Sequence, residues 1–108
     1  MVKTITFIKR KPRMSVDDFG KYWRTQHAPI VIKLPGLRRY VQCHTIPSGY
    51  RNGEPAYDGV AEVWFDSTAA MRESATTPEY RAVRADEPNF IDTAQPFPFI
   101  ITRDFPVL

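Results

Sequence analysis

His27 and Tyr40 are the two residues of this chain whose types best suit acid–base chemistry. Histidine titrates close to neutral pH, so modest changes in its surroundings make it a general base or a general acid. A tyrosine phenol can donate a hydrogen bond to an oxygen on which negative charge develops. Each residue also has an ordinary structural explanation, His27 as a hydrogen-bonded core histidine and Tyr40 as a packed aromatic side chain.

Further side chains are suited to the wall of a binding pocket. Tryptophan has an apolar body with a polar tip, and glutamine, histidine and aspartate can orient the polar groups of a ligand. The predicted substrate-binding residues are Trp23, Gln42, His44, Asp58 and Trp64.

Other arrangements of reactive side chains are weaker. Asp58 and Glu62 are four residues apart on one predicted strand, roughly 13 Å, which is too far for a paired-carboxylate mechanism. The two histidines lack the short spacing of metal ligands, so we expect no metal and no other cofactor. Cys43 is the only cysteine, which excludes an internal disulfide and fits a reducing compartment.

The composition is that of a globular chain, with 43% hydrophobic and 25% charged residues among 108. This length predicts one domain over residues 1–108, with no separate substrate domain. No stretch approaches the ~20 apolar residues of a membrane span, and the first apolar run is too short for a signal peptide. We therefore expect a cytoplasmic protein without a membrane partner.

Alternation and capping residues predict elements in the order β-α-β-β-α-β. Strands are predicted at residues 2–9, 37–46, 57–66 and 97–105. Ser15, Ser67 and Thr77 are N-cap types, and they predict a first helix and a second helical region in two pieces, 67–75 and 77–86. The order predicts a ferredoxin-like α+β fold, a four-stranded antiparallel sheet with helices on one face.

The first helix carries a stripe that ends at the candidate base. Its members recur at spacings of three and four, and they are Val16, Phe19, Trp23 and His27. Ala28-Pro29 disfavours simple continuation of this helix, although Pro29 can be the first residue of another turn.

The strand patterns predict which face of the sheet the helices cover. Small or apolar side chains are assigned to the helix side, and these are Ile5, Phe7, Val41, Cys43, Ala61, Val63 and Phe65. A mixed polar and aromatic set is assigned to the opposite, pocket-forming side, and these are Thr4, Thr6, Ile8, Tyr40, Gln42, His44, Asp58, Val60, Glu62 and Trp64. On this assignment Cys43 is buried and inert.

Residues 9–13 form a basic segment, Lys-Arg-Lys-Pro-Arg. The simplest interpretation is a solvated loop, and the alternative is a phosphate-binding patch. RNA-recognition modules share this fold order, but they stack bases on third-strand aromatics beside basic residues. Asp58 and Glu62 would repel phosphate there, and the net charge is only +3, so no nucleic-acid partner is expected.

Several segments together resemble the EthD family. The most specific is Trp23-x-x-x-His27-x-Pro29, and the others are residues 11–12, 15–19, 35–40 and 61–65 and Pro78. The resemblance covers nearly the whole chain. It implies a dimeric α+β barrel in which two ferredoxin-like sheets face each other and each protomer keeps a pocket between its sheet and helices.

The chain is also distantly similar to the methylmuconolactone methylisomerases. Their histidine at the end of the first helix and their tyrosine at the start of the second strand match His27 and Tyr40. Their third-strand cysteine corresponds to Val63 here.

These resemblances imply a homodimeric, cofactor-independent enzyme of catabolic or secondary metabolism. It would act by proton transfer on a small hydrophobic carbonyl compound, such as a lactone or an aromatic polyketide-like ring. Isomerase, cyclase, dehydratase and decarboxylase chemistry all fit. Two alternatives stay open: a non-catalytic accessory protein that binds a small molecule, and a cofactor-free or haem-linked monooxygenase.

Overall fold

The four strands form one antiparallel sheet in the order β2-β3-β1-β4. A computed structural model describes all residues from 1 to 108. The strands are β1 (Val2–Ile8), β2 (Arg39–His44), β3 (Gly59–Phe65) and β4 (Phe99–Thr102). With helices packed on one face, this arrangement confirms the predicted ferredoxin-like α+β fold.

The helices begin where the capping residues predict. They are α1 (Val16–Tyr22), α2 (Ala28–Val31), α3 (Thr68–Ser74) and α4 (Pro78–Asp86). The side chains of Ser15, Ser67 and Thr77 each accept a hydrogen bond from the backbone N–H three residues later. These bonds satisfy donors that a helix start otherwise leaves free, so the three predicted N-caps are confirmed.

A π-helical turn, Trp23–His27, joins α1 to α2. The N–H of Ala28 donates to the carbonyl of Trp23, five residues earlier. This wider turn lies directly before Pro29, whose ring would clash with the carbonyl four residues earlier in a regular α-helix. The first helix therefore continues past Pro29, and its buried side extends from Phe19 to Val31.

The strand register shows that the predicted face of β2 is wrong. Tyr40 lies opposite Val63, and Gln42 lies opposite Ala61. Directly paired residues of antiparallel strands share a face. Tyr40, Gln42 and His44 therefore lie under the helices, on the same side as Ala61 and Val63.

The same register corrects the open face of the sheet. Ile5 and Phe7 of β1 lie opposite Glu62 and Val60, so they point away from the helices. The remaining open-face residues of β2 and β3 are Arg39, Val41, Cys43 and Trp64. Cys43 is exposed rather than buried. Alternation along each strand correctly showed which residues share a face. Because both faces of β1 and β2 mix polar and apolar side chains, their composition did not show which face the helices cover. The wrong face was therefore assigned to the helices in both strands.

Trp23 packs directly on the backbone of the sheet at Gly59. A Cβ atom at residue 59 would lie 2.7 Å from the indole of Trp23 and 2.7 Å from the carbonyl oxygen of Cys43. Real Cβ atoms do not approach so closely, so glycine is required here. The indole belongs to a core cluster that also contains Ile8, Phe19, Phe90 and Ile91.

Asp58 lies in the loop before β3, and its side chain is fully buried among polar partners. Its carboxylate accepts hydrogen bonds from the Arg10 guanidinium at 2.6 Å, the Arg10 backbone N–H at 2.8 Å and the Tyr50 hydroxyl at 2.6 Å. Burial by itself raises the pKa of Asp58, but the hydrogen bonds from Tyr50 and Arg10 outweigh it and lower the pKa below its ordinary value. Asp58 therefore stabilises the fold as a buried carboxylate. The prediction that it lines the pocket is wrong.

The basic segment is tied into the same cluster. The side chains of Lys9 and Arg10 also pair with Glu54, at 2.8 Å and 2.6 Å. Two of its four cations are thus matched to carboxylates of the protein. This pairing disfavours the phosphate-patch interpretation.

Replacing Asp58 with alanine should destabilise the fold by about 3 kcal/mol. It leaves the Arg10 backbone N–H and the Tyr50 hydroxyl without their acceptor, and it removes one of the two carboxylates that pair with the Arg10 guanidinium. The depressed pKa stabilises the fold fully above the unfolded value of 3.8, and this stabilisation is lost as the pH falls below it. Urea unfolding measures both effects. Asp66→Ala is the matched control, since Asp66 pairs with Arg38 at the exposed surface; equal losses in the two variants would contradict the assignment.

Candidate active site

A cavity of about 620 Å³ lies between the helix-covered face of the sheet and the helices. Its walls are mostly apolar, from β1, β3, the first helix, α3, α4 and the loop before β4. The polar side chains that reach it include His27, Tyr40, Arg84 and Glu87. Apolar walls with few polar groups are typical of a small-molecule site.

His27 enters this cavity from the end of the π-helical turn, and only 5% of the residue is exposed. Its Nδ1 lies 2.8 Å from Oδ2 of Asp86. Burial lowers the pKa of His27, although the Asp86 carboxylate acts in the opposite direction. The imidazole is therefore neutral at pH 7. Because a carboxylate can only accept, Nδ1 carries the proton, and Nε2 keeps a lone pair with no protein partner.

Asp86, the partner of His27, was not among the predicted site residues. Its other oxygen accepts hydrogen bonds from the Tyr22 hydroxyl at 2.6 Å and from the Asn89 amide at 3.0 Å. Burial raises the pKa of Asp86, but the bonds from Tyr22, Asn89 and His27 outweigh it and keep the group ionised. One signal was available: Asp86 ends a predicted helix, where the helix dipole disfavours an acid.

Tyr40 is half-buried near the start of β2 and lines the same cavity. Its oxygen accepts a hydrogen bond from Nε2 of Gln42 at 2.8 Å. The phenol proton is therefore free to be donated to a ligand. Burial raises the pKa of Tyr40, so the phenol stays protonated at neutral pH.

Gln42 and His44 lie behind Tyr40 and do not line the cavity. The Gln42 amide also donates to the Trp23 carbonyl at 2.9 Å, so its oxygen is left to accept from Nε2 of His44 at 2.8 Å. The His44 ring packs on the Trp23 indole with 4.3 Å between centroids. This network fixes the position of the phenol.

The predicted site residues thus divide into three groups. His27, Tyr40 and Trp23 line one cavity, and Gln42 and His44 support it from behind. Asp58 and Trp64 lie elsewhere. Trp64 is on the open face of the sheet, between the cationic groups of Lys3 and Arg39, each 4.8 Å from its ring.

Two broader features of the structure bear on possible ligands and on location. No three His, Cys, Asp or Glu side chains are grouped as metal ligands would be. None of the helices has both the length and the apolar character that a membrane span requires.

The fold and the cavity define a class of ferredoxin-like α+β domain with a pocket between sheet and helices. The EthD domain model matches residues 11–94, and the chain belongs to the EthD family. No curated protein matches the chain significantly.

Solved structures share the fold over nearly the whole chain. An EthD family protein from Bacillus halodurans is 24% identical with a TM-score of 0.75, covering 97% of this chain and 99% of that one. HapK from Hahella chejuensis is 12% identical with a TM-score of 0.72, at 97% and 93% coverage. A dimeric protein of unknown function with a ferredoxin-like fold, from Bacteroides fragilis, is 14% identical with a TM-score of 0.67, at 95% coverage of both chains.

Nitrogen NMR of the two histidines should show opposite neutral tautomers. We expect the proton on Nδ1 of His27, held by Asp86, and on Nε2 of His44, held by Gln42. The His27 midpoint should lie below 6.5, and Asp86→Asn should lower it further, because the substitution removes the charge that favours imidazolium. His44 is the internal control. A His27 midpoint above 6.5, or a proton on its Nε2, would be incompatible with this geometry.

Proposed function

We propose that the protein is a cofactor-independent enzyme that moves a proton on a small hydrophobic carbonyl compound. One observation carries the proposal: His27 lines an apolar cavity with its Nδ1 hydrogen-bonded to the Asp86 carboxylate, which leaves Nε2 without a protein partner. A neutral imidazole with a fixed tautomer is suited to act as a general base.

Tyr40 supplies the complementary group. Nε2 of His27 takes a proton from the carbon beside the carbonyl, and the electron pair of that C–H bond forms an enolate. The free phenol proton of Tyr40 then hydrogen-bonds to the enolate oxygen. Return of the proton from His27 to another carbon completes an isomerisation. In a dehydration, the same proton passes from His27 to a hydroxyl on the next carbon, which leaves as water.

Deuterium exchange tests this step without requiring the natural substrate. We expect the protein to accelerate exchange of the protons beside the carbonyl in 1-tetralone or in a five-membered unsaturated lactone, followed by proton NMR in heavy water. His27→Ala should slow the exchange by about 10²–10⁴-fold, because the base is lost. Tyr40→Phe should slow it by about 10²-fold, because the enolate loses its donor.

Trp64→Phe is the matched control, since this aromatic residue lies on the other face of the sheet and should leave exchange unchanged. Exchange at the buffer rate with the wild-type protein would overturn the catalytic proposal. Tight binding of the probes without exchange would instead favour an accessory protein that binds a small molecule.

The proposed enzyme is a homodimer whose two sheets face each other. Support comes from the open face, where apolar side chains have no covering helix, namely Ile5, Phe7, Val41, Trp64 and Ile100. A large uncovered apolar surface is typical of an interface. The Bacteroides fragilis protein of the same fold is described as dimeric, which supports a dimer without specifying its interface.

Light scattering at micromolar concentration tests the dimer. Ile100→Glu should shift the mass toward that of a monomer, because it buries a charge without a partner in the interface. Ile32→Glu should leave the dimer intact, since Ile32 is also exposed, at 64% against 54% for Ile100, but follows α2 on the helix side. A wild-type monomer, or dissociation by both substitutions alike, would speak against sheet-to-sheet pairing.

A further inference from the structure

An ion pair lies at the end of α4, in the wall of the cavity, and the proposed proton transfer does not involve it. Arg84 and Glu87 both line the cavity, with 2.7 Å between Nε and Oε1. The Arg84 side chain is 57% exposed and lies at the mouth, whereas that of Glu87 is 13% exposed and lies inside. Both charges are therefore within reach of a ligand in the cavity.

The Arg84 guanidinium has spare donors. Nε faces Glu87, and Nη1 donates to the Tyr80 hydroxyl at 3.2 Å. Three of its five N–H groups therefore have no protein partner. The guanidinium also lies 6.0 Å from the centre of the Phe97 ring, which lines the same cavity. A planar cation beside an aromatic wall suits a ligand that carries a carboxylate on an apolar ring.

We propose that Arg84 binds a carboxylate of the ligand, and that Glu87 then takes up a proton from solvent and releases the guanidinium as a neutral carboxylic acid. The expected ligand class is a hydrophobic ring compound with a carboxylate. This deepens the proposed function, because it names a feature of the substrate for the same cavity, and it rests on that function for the reaction itself.

The proton uptake follows from charge balance at this wall. Two carboxylates facing one guanidinium in an apolar cavity repel each other, so the one that is harder to ionise accepts a proton. Burial raises the pKa of Glu87, and the neighbouring charge of Asp86 acts in the same direction, while Arg84 opposes both. The other titratable or charged side chains lining the cavity are Arg72, His27, Tyr40 and Tyr80.

Calorimetric titration with 2-naphthoate and with its neutral analogue 2-naphthamide tests the proposal. We expect naphthoate to bind about tenfold more tightly, the gain of a charged hydrogen-bonded pair. Arg84→Gln should remove that preference and leave naphthamide binding unchanged. Arg81→Gln is the matched control, because Arg81 is an exposed arginine of α4 outside the cavity and should alter neither affinity.

Repeating the titration in phosphate and in Tris counts the protons taken up, since the two buffers differ in ionisation enthalpy. Naphthoate binding near pH 7 should take up close to one proton, and naphthamide binding should take up none. Glu87→Gln should abolish the uptake without weakening naphthoate binding. Uptake that persists in this variant would assign the proton to His27 and overturn the role of Glu87.

Equal affinities for the two probes, equal losses for both probes in Arg84→Gln, or binding of neither at millimolar concentration would overturn the carboxylate inference. Variants are compared only if their thermal unfolding matches that of the wild-type protein. If His27 catalyses exchange but naphthoate shows no preference over naphthamide, the carboxylate inference is wrong and the proposed reaction stands. If Arg84 binds naphthoate but the protein does not accelerate deuterium exchange, the proposed reaction is wrong and the carboxylate inference stands.

Discussion

The hydrogen bond between His27 and Asp86 is the interaction on which the cavity depends. It joins the first helix to the end of α4, two elements that are 59 residues apart in the chain. Because the carboxylate accepts from Tyr22, Asn89 and His27 together, it stays ionised although it is largely buried. One bond therefore holds His27 at the wall of the cavity and determines which nitrogen of the imidazole is basic. The same hydrogen bond thus fixes both the position of His27 and its tautomer.

A second network positions the phenol from the sheet side. The Gln42 amide bridges the Trp23 carbonyl, the Tyr40 oxygen and the His44 ring, so one side chain links the π-helical turn to β2. Trp23 can approach the sheet only because Gly59 has no side chain. Gln42 thus gives both Tyr40 and His44 a hydrogen-bond partner under the helices, while the phenol proton of Tyr40 stays free. This explains how polar residues occupy a face that would otherwise be apolar.

The fold was predictable from the sequence, and the faces of the sheet were not. Caps at Ser15, Ser67 and Thr77 and the strand alternation are local signals, and they placed the elements within a few residues. The face of a strand depends on its partner, because a shift of one residue inverts every side chain. Tyr40, Gln42 and His44 were therefore assigned to the wrong face, together with Trp64, which lies on the open side of the sheet. Asp58 is absent from the cavity for another reason, because it precedes β3 and is bonded to Arg10 and Tyr50.

His27 could be singled out because it continues the apolar stripe of its own helix, whereas Asp86 belongs to a distant helix and only tertiary packing brings the two together.

The corrected face of β2 also changes the position and the walls of the cavity. The strand patterns placed the pocket on the open side, but it lies under the helices, where the family resemblance implied it. α4 is therefore one of its walls and contributes Arg84 and the support of His27, and Glu87 follows directly after α4. Asp86 and Glu87 are adjacent carboxylates with different surroundings. Asp86 points to the histidine and is held ionised by three donors, and Glu87 lines the cavity with a single cation beside it. Burial raises the pKa of Glu87, whereas hydrogen bonds from Tyr22, Asn89 and His27 overcome burial and lower the pKa of Asp86. The two neighbouring acids therefore have different chemistry on one turn of helix.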